Sequence, residues 1–319
     1  MKKSSSFQCS FEAPIVEIDN KIRSIQEDSE LFNKEELLES LQQEKQKTIQ
    51  KIYHSLSRWD IVQIARHPDR PKTPDIIAHF MPDYVELHGD RLFRDDTSVM
   101  GAIGTYHGKN LMMIGHNRGS STKEKIRNRF GMASPEGYHK ALRLMRLADK
   151  LKTPILTLID TQGAYPGIQA EEMGQSAAIA LNLREMFSLQ TPIVCLVIGE
   201  GGSGGALGIG IGDSICMMQY SIYSVISPEG CASILWRDAS KASGAAEKLQ
   251  LTAADLLQRN LIDQVIPEPL GGAHRNPTEA MHNMDEVVQQ KLSRLYKRNP
   301  KELLDTRYNK FRDIASLPS

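Results

Sequence analysis

Cysteine is scarce and scattered: Cys9, Cys195, Cys216 and Cys231 are the four in 319 residues, with no C-x-x-C pair. That argues against a disulfide framework and a zinc site in this chain, and for a reducing compartment, the cytoplasm. Three of the four stand in apolar contexts, where a free thiol packs as a small hydrophobe. Net charge is lacking as well. Thirty-nine Lys and Arg balance thirty-nine Asp and Glu, so no global field recruits nucleic acid or an anionic membrane. No apolar run approaches the ~20 residues of a membrane-spanning helix. The opening MKKSSSFQCSF is basic and Ser-rich, has no apolar stretch of secretory type and turns acidic by Glu12. It reads as a ragged end, not a targeting peptide. What remains, 40% hydrophobic and 24% charged residues, is globular in balance.

Ile15, Ile18, Ile22 and Ile25 recur at helical spacing, and Leu38, Leu41, Thr48, Ile52 and Leu56 do so again. Two such narrow stripes predict an antiparallel helical hairpin whose role is packing. From Val99 short apolar runs alternate with helical patterns. Residues 99–106, 110–114, 154–160, 192–198, 214–218 and 223–226 read as strands. Ser134-Pro135-Glu136 starts a helix with Leu144, Leu147, Ala148 and Leu151 on one face. This is a layered α/β pattern, in which paired strands before the helices also allow a β-β-α spiral. A polar helix begins at Pro277, and a polar, loosely held tail is expected after it. No internal repeat is evident.

The richest stretch is TPIVCLVIGEGGSGGALGIGIGD, residues 191–213, in which an apolar run meets five glycines between Gly199 and Gly205. It predicts a strand, a tight loop and a helix that carries Gly208 and Gly212 one and two turns beyond Gly204. Bare N–H groups at a helix start favour an anionic oxygen. Three chemistries use such a loop. Gly199-x-Gly201-x-x-Gly204 matches a dinucleotide fingerprint, but no acidic residue follows ~20 positions on at the end of a strand. Gly201-x-Ser203-x-Gly205 matches an α/β-hydrolase elbow with Ser203 as nucleophile and Asp263 and His274 as partners. Small glycines on both sides of Ser203 weaken that alternative. In the third chemistry the backbone is the catalyst: the N–H groups of Gly204 and Gly205 stabilise an oxyanion without any ionisable side chain.

Longer strings carry a resemblance. GEGGSGGALGIGIGD at 199–213, residues 219–236, and IPEPLGGAHRNP at 266–277 resemble the carboxyltransferase α subunits of bacterial multi-subunit acetyl-CoA carboxylase. ELHGDR at 86–91, residues 122–145 and GAYPGIQAEEMGQS at 163–176 are similar to the same family. The resemblance runs from about residue 12 to 312. It implies a crotonase-like β-β-α spiral with an N-terminal helical extension. The implied divisions are 1–34 for the extension, 35–296 for the carboxyltransferase domain and 297–319 for the tail. It implies biotin, as N-carboxybiotin on a separate carrier protein, as carboxyl donor and acetyl-CoA as acceptor, giving malonyl-CoA for fatty acid synthesis. No metal is expected in this chain. The implied partners are a zinc-ribbon β subunit in an α2β2 assembly, the biotin carboxyl carrier protein and biotin carboxylase. Gly204 and Gly205 then become the oxyanion hole for the ureido oxygen, with Gly163, Ala164, Tyr165 and Ser227 around the biotin. Two departures stand out: Gln162 replaces the proline of a D-T-P-G-A-Y-P-G string, and Met173 replaces an arginine. Lys123, Lys125, Arg127 and Arg129 are candidates for a phosphate or the carrier, and His88 for fixing a loop.

Overall fold

The computed structural model describes residues 9–28 and 32–314. The N-terminal eight residues, on which the reading of a ragged end rests, lie outside them. Among the described residues one eight-stranded sheet runs β1 (Val85–Glu86), β2 (Val99–Tyr106), β3 (Lys109–His116), β4 (Ile155–Thr161), β5 (Ile193–Gly202), β6 (Ser214–Met218) and β8 (Gln264–Ile266). Strand β7 (Ile222–Ser224) pairs with the C-terminal part of β5, beyond the segment taken by β6. The first three strands are antiparallel neighbours and the others run parallel.

Alternation assigns the faces. Ile193, Cys195 and Val197 of β5 enter one core with Ile155, Ile159, Tyr138 and Leu144. Val194, Leu196 and Ile198 enter the opposite core with Leu156, Leu158, Ile77 and Met284. A sheet covered on both faces has no polar side to its central strands, which is why they read as continuous apolar runs. The helix Pro135–Lys150 covers the first face and Pro277–Leu295 the second. Ala13–Glu27 and Lys34–Tyr53 form the expected helical hairpin, cored by Ile15, Ile49 and Tyr53 against Ile64 and Tyr220.

Two expectations are corrected. The helix after the glycines is short, Ser203–Leu207, and Gly208 to Gly212 form a turning connection instead of its continuation. Each interior glycine costs a helix about 1 kcal/mol relative to alanine, and three more in five residues end it. Nor is the tail loose over residues 300–314; residues 315–319 lie outside the described ones. Pro300–Ile314 is a helix, and its Arg307 is fully buried, bonding to Asp213 at 2.8 Å and to the carbonyls of Met186, Leu189 and Thr191.

Candidate functional site

A cleft of about 800 Å³ opens where β5 ends. Gly163, Ala164, Tyr165, Ser203, Gly204 and Ser227 all line it, although they come from three separate segments. Gly205 does not; it is buried directly beneath, against the backbone of the 163–164 turn. A Cβ on Gly205 would lie 2.3 Å from the Gly163 carbonyl carbon, and one on Gly202 would lie 2.0 Å from the Gln162 oxygen. Glycine is required at both places so that two stretches of backbone can touch. The turn itself is tied by Thr161, whose hydroxyl donates to the Gly163 carbonyl at 2.8 Å and accepts from the Gly163 N–H at 3.2 Å.

Ser203 starts the short helix with φ of +49°, a left-handed conformation that is costly for a residue with a Cβ. It opens the helix Ser203–Leu207, and a helix's first four N–H groups have no acceptor within the helix. Across the cleft, Ser227 caps the helix Pro228–Trp236, its Oγ accepting from the Gly230 N–H at 3.0 Å. Tyr165 is held by its N–H on the Ala133 carbonyl and by Arg129, whose guanidinium lies 5.1 Å from the ring centroid.

Charges gather behind the loop. Arg66 lines the cleft and bonds Glu200 at 2.7 Å and Glu229 at 2.6 Å, joining the glycine strand to the Ser227 helix. Burial works against its charge, but the two carboxylates outweigh burial and raise its pKa above the ordinary arginine range. Arg118 reaches Asp160 at 3.1 Å and Glu200 at 3.6 Å, and Asp160 in turn accepts the Glu200 N–H. Sequence reasoning missed Arg66, Glu200 and Glu229. Glu200 lies inside the glycine string, where its neighbours carry the stronger signal.

The hydrolase partners are not assembled. Asp263 accepts the Ile215 N–H and pairs with Lys310, while His274 bonds Glu12 and stacks on His67; neither lines the cleft. Glu12, His67 and His274 place ligand-type atoms within 4.8 Å of one another. Glu12 there already accepts from Tyr53 at 2.8 Å and Arg275 at 2.9 Å, and the imidazoles are stacked at 4.1 Å, face to face. The cluster staples the N-terminal segment to the 271–276 loop. Of the basic candidates, Arg129 is spent on Asp96 and Ser134, whereas Lys125 lines a small neighbouring pocket with Arg118. His88 is exposed and bonds Asp95 at 3.3 Å.

The chain is similar in fold to a transcarboxylase 12S structure solved with methylmalonyl-coenzyme A (TM-score 0.56, 17% identity, 70% of this chain and 42% of that one). It is also similar to a Pseudomonas malonate decarboxylase hetero-tetramer in complex with coenzyme A (TM-score 0.57, 15% identity, 70% and 88%). The fold is therefore that of the crotonase-type carboxyltransferases. The model of the family "Acetyl co-enzyme A carboxylase carboxyltransferase-like" matches residues 8–315. The acetyl-coenzyme A carboxylase carboxyl transferase subunit alpha of Thioalkalivibrio sulfidiphilus is 51% identical over 303 residues, covering 94% of this chain and 95% of its own length. That of Geobacter metallireducens is 49% identical over 313 residues, with 98% of both chains covered. The chain belongs to this carboxyltransferase α-subunit family, and the hydrolase alternative is set aside.

Proposed function

We propose that the cleft receives the ureido ring of N-carboxybiotin, and that the carboxyl group passes from it to acetyl-CoA to give malonyl-CoA. The observation that carries this reading is a stretch of bare backbone in the lining of the cleft, alongside the side chains of Arg66, Glu171 and Glu229. Glycine and alanine form one wall, a Cβ on Gly163 would point into open space, and no His, Lys or Cys is among the lining residues. Such a wall suits a flat, uncharged ring that becomes anionic at one oxygen. When bound, N-carboxybiotin would supply the carboxyl group and, once CO₂ has left, the base for the acetyl methyl proton. The chain's contribution is to donate the N–H groups of Gly204 and Gly205 to the developing oxyanion, to shape the slot with Gly163, Ala164, Tyr165 and Ser227, and to exclude water.

The second half of the site is assigned to a separate zinc-ribbon β subunit in an α2β2 assembly, working with the carrier protein and biotin carboxylase in the cytoplasm. No described helix is long and apolar enough to cross a membrane. The unit that carries the cleft is the 35–296 domain, with 1–34 as extension and 297–319 as tail. Large apolar side chains stand exposed at the cleft: Val225, which lines it, at 78%, and Ile168, next to the lining Gly167, at 80%. A rim of this kind marks a surface that a partner covers.

The test is reverse carboxylation of free biotin by malonyl-CoA, with the chain alone and after mixing with a β subunit. The isolated chain should be inactive and the complex active. Robust turnover by the monodisperse isolated chain would overturn the division of labour. Ser203→Ala in the complex should keep most of the rate, and loss of activity there would reinstate the side chain as a nucleophile.

A further inference from the structure

Each of the three segments that line the cleft carries one carboxylate close to its lining residues. Asp160 stands three positions before Gly163, Glu200 three before Ser203, and Glu229 two after Ser227. Two arginines join these carboxylates in series. Arg118 donates to Asp160 at 3.1 Å and lies 3.6 Å from Glu200. Arg66, at the C-terminal end of the helix Arg58–Ala65, forks between Glu200, at 2.7 and 3.1 Å, and Glu229, at 2.6 and 3.4 Å.

The links are unequal. Asp160 and Glu200 sit on paired strands, β4 and β5, and Asp160 also accepts the Glu200 N–H at 3.1 Å. The sheet by itself keeps those two walls in register. The Ser227 wall has less support. Pairing of β7 with β5 ends at Ser224, and the helix Pro228–Trp236 buries only Pro228 and Ala232. Its side-chain tie to the glycine strand runs through Glu229 and Arg66. The Glu229 side chain is 38% exposed and that of Glu200 only 5%, so the outer link is the one that water and salt weaken.

We infer that Arg66 is a positioning residue for carboxyl transfer: it sets the width of the slot by holding the Ser227 wall to the glycine wall through Glu229. A guanidinium suits this task, being planar, always charged and able to serve two carboxylates at once, whereas a lysine ammonium is a point charge on a flexible stem. A slot of fixed width grips a flat ring equally before and after the carboxyl group leaves. The strap therefore acts on binding of the ring and leaves the rate of the chemical step alone. The acyl-CoA, assigned to the other half of the site, does not feel it. The inference rests on the reading of the cleft as the place of the ureido ring.

The experiment uses the assembled complex in the carboxylation of free biotin by malonyl-CoA. Glu229→Ala should raise KM for biotin about 5-fold, the size expected of a partly exposed charge pair, with kcat and the KM for malonyl-CoA within about twofold. Glu229→Gln keeps one acceptor and should fall between that variant and the parent. Arg66→Lys should raise the same KM. Adding Glu229→Ala to it should then change KM by less than about twofold, because a strap already cut cannot be cut again. Unchanged biotin KM in Glu229→Ala, an equal rise for malonyl-CoA, or rises that multiply in the double variant would overturn the role. Gly163→Leu tests the cleft itself, since its side chain would enter open space there. If Gly163→Leu leaves the biotin KM unchanged, the reading of the cleft fails and the inference with it. If it raises that KM while Glu229→Ala does not, only the role of Arg66 fails.

Discussion

Adjacent glycines at 204 and 205 answer different demands. Gly205 is a packing requirement, because any Cβ there strikes the Gly163–Ala164 backbone. Gly204 has room: its Cβ would meet only the Ile179 Cδ1, at an ordinary 3.5 Å. Gly204→Ala should therefore melt within a degree or two of the parent, yet lose about 10-fold or more in kcat/KM when an added methyl enters the slot. Gly205→Val should lose both activity and stability, the overpacking alone costing about 1–3 kcal/mol. Ser203 sits in a strained left-handed conformation, so Ser203→Gly should gain about 1 kcal/mol, read as a melting temperature raised by roughly 2–4 °C. An unchanged melting temperature would show that the strain is absorbed elsewhere. Burial pushes the Cys195 and Cys9 thiols up to about 12, and Cys216 up as well. In the native chain a thiol reagent should label Cys231 first, by peptide mapping, and the other three only on unfolding.

Among the elements, the C-terminal helix is the one whose contribution is concentrated in a single side chain. Arg307→Ala would strand the buried Asp213 carboxylate and three carbonyls, which places the loss near 3–5 kcal/mol. Limited proteolysis should then cut within 300–314 at protease levels the parent resists. Nothing in the local pattern of this helix announced that grip. Arginine in a polar helix looks solvent-facing, and its acidic partner lies 94 positions away. The central strands were readable for the opposite reason, since β4, β5 and β6 bury nearly every residue and leave uninterrupted apolar runs. Strands β1 and β8, of two and three residues, are too short to carry a period and were not expected. At the site, the Gly163–Tyr165 and Ser227 segments were legible only as strings shared with a family. Arg66 gave no local signal at all, because its meaning comes from Glu200 and Glu229, 134 and 163 positions on.

Over the whole molecule, acid sensitivity follows from imidazoles buried in the neutral form. Burial lowers the pKa of His67 to about 3 and of His116 to about 4, from 6.5. Each depressed imidazole takes up a proton more readily in the unfolded chain. Its stabilisation is complete above pH 6.5 and is lost as pH falls from 6.5 towards the folded value. Glu12 adds a later loss: its pKa is about 2 against an ordinary 4.5, held down by His274 and Arg275 despite burial, so its share disappears between pH 4.5 and 2. Urea midpoints should fall steadily from pH 7 to pH 5, by on the order of 2 kcal/mol for each imidazole. A flat profile over that interval would contradict the burial of both rings. The staple around Glu12 has a temporal consequence too. Its bond to His274 joins residues 262 positions apart. At roughly 5–20 residues per second on a ribosome, the N-terminal hairpin waits about 10–50 s for the segment that seats it. Among the earliest parts of the described chain to be made, it is among the last to be locked, and until then the Ile15 and Ile49 face remains open to a chaperone.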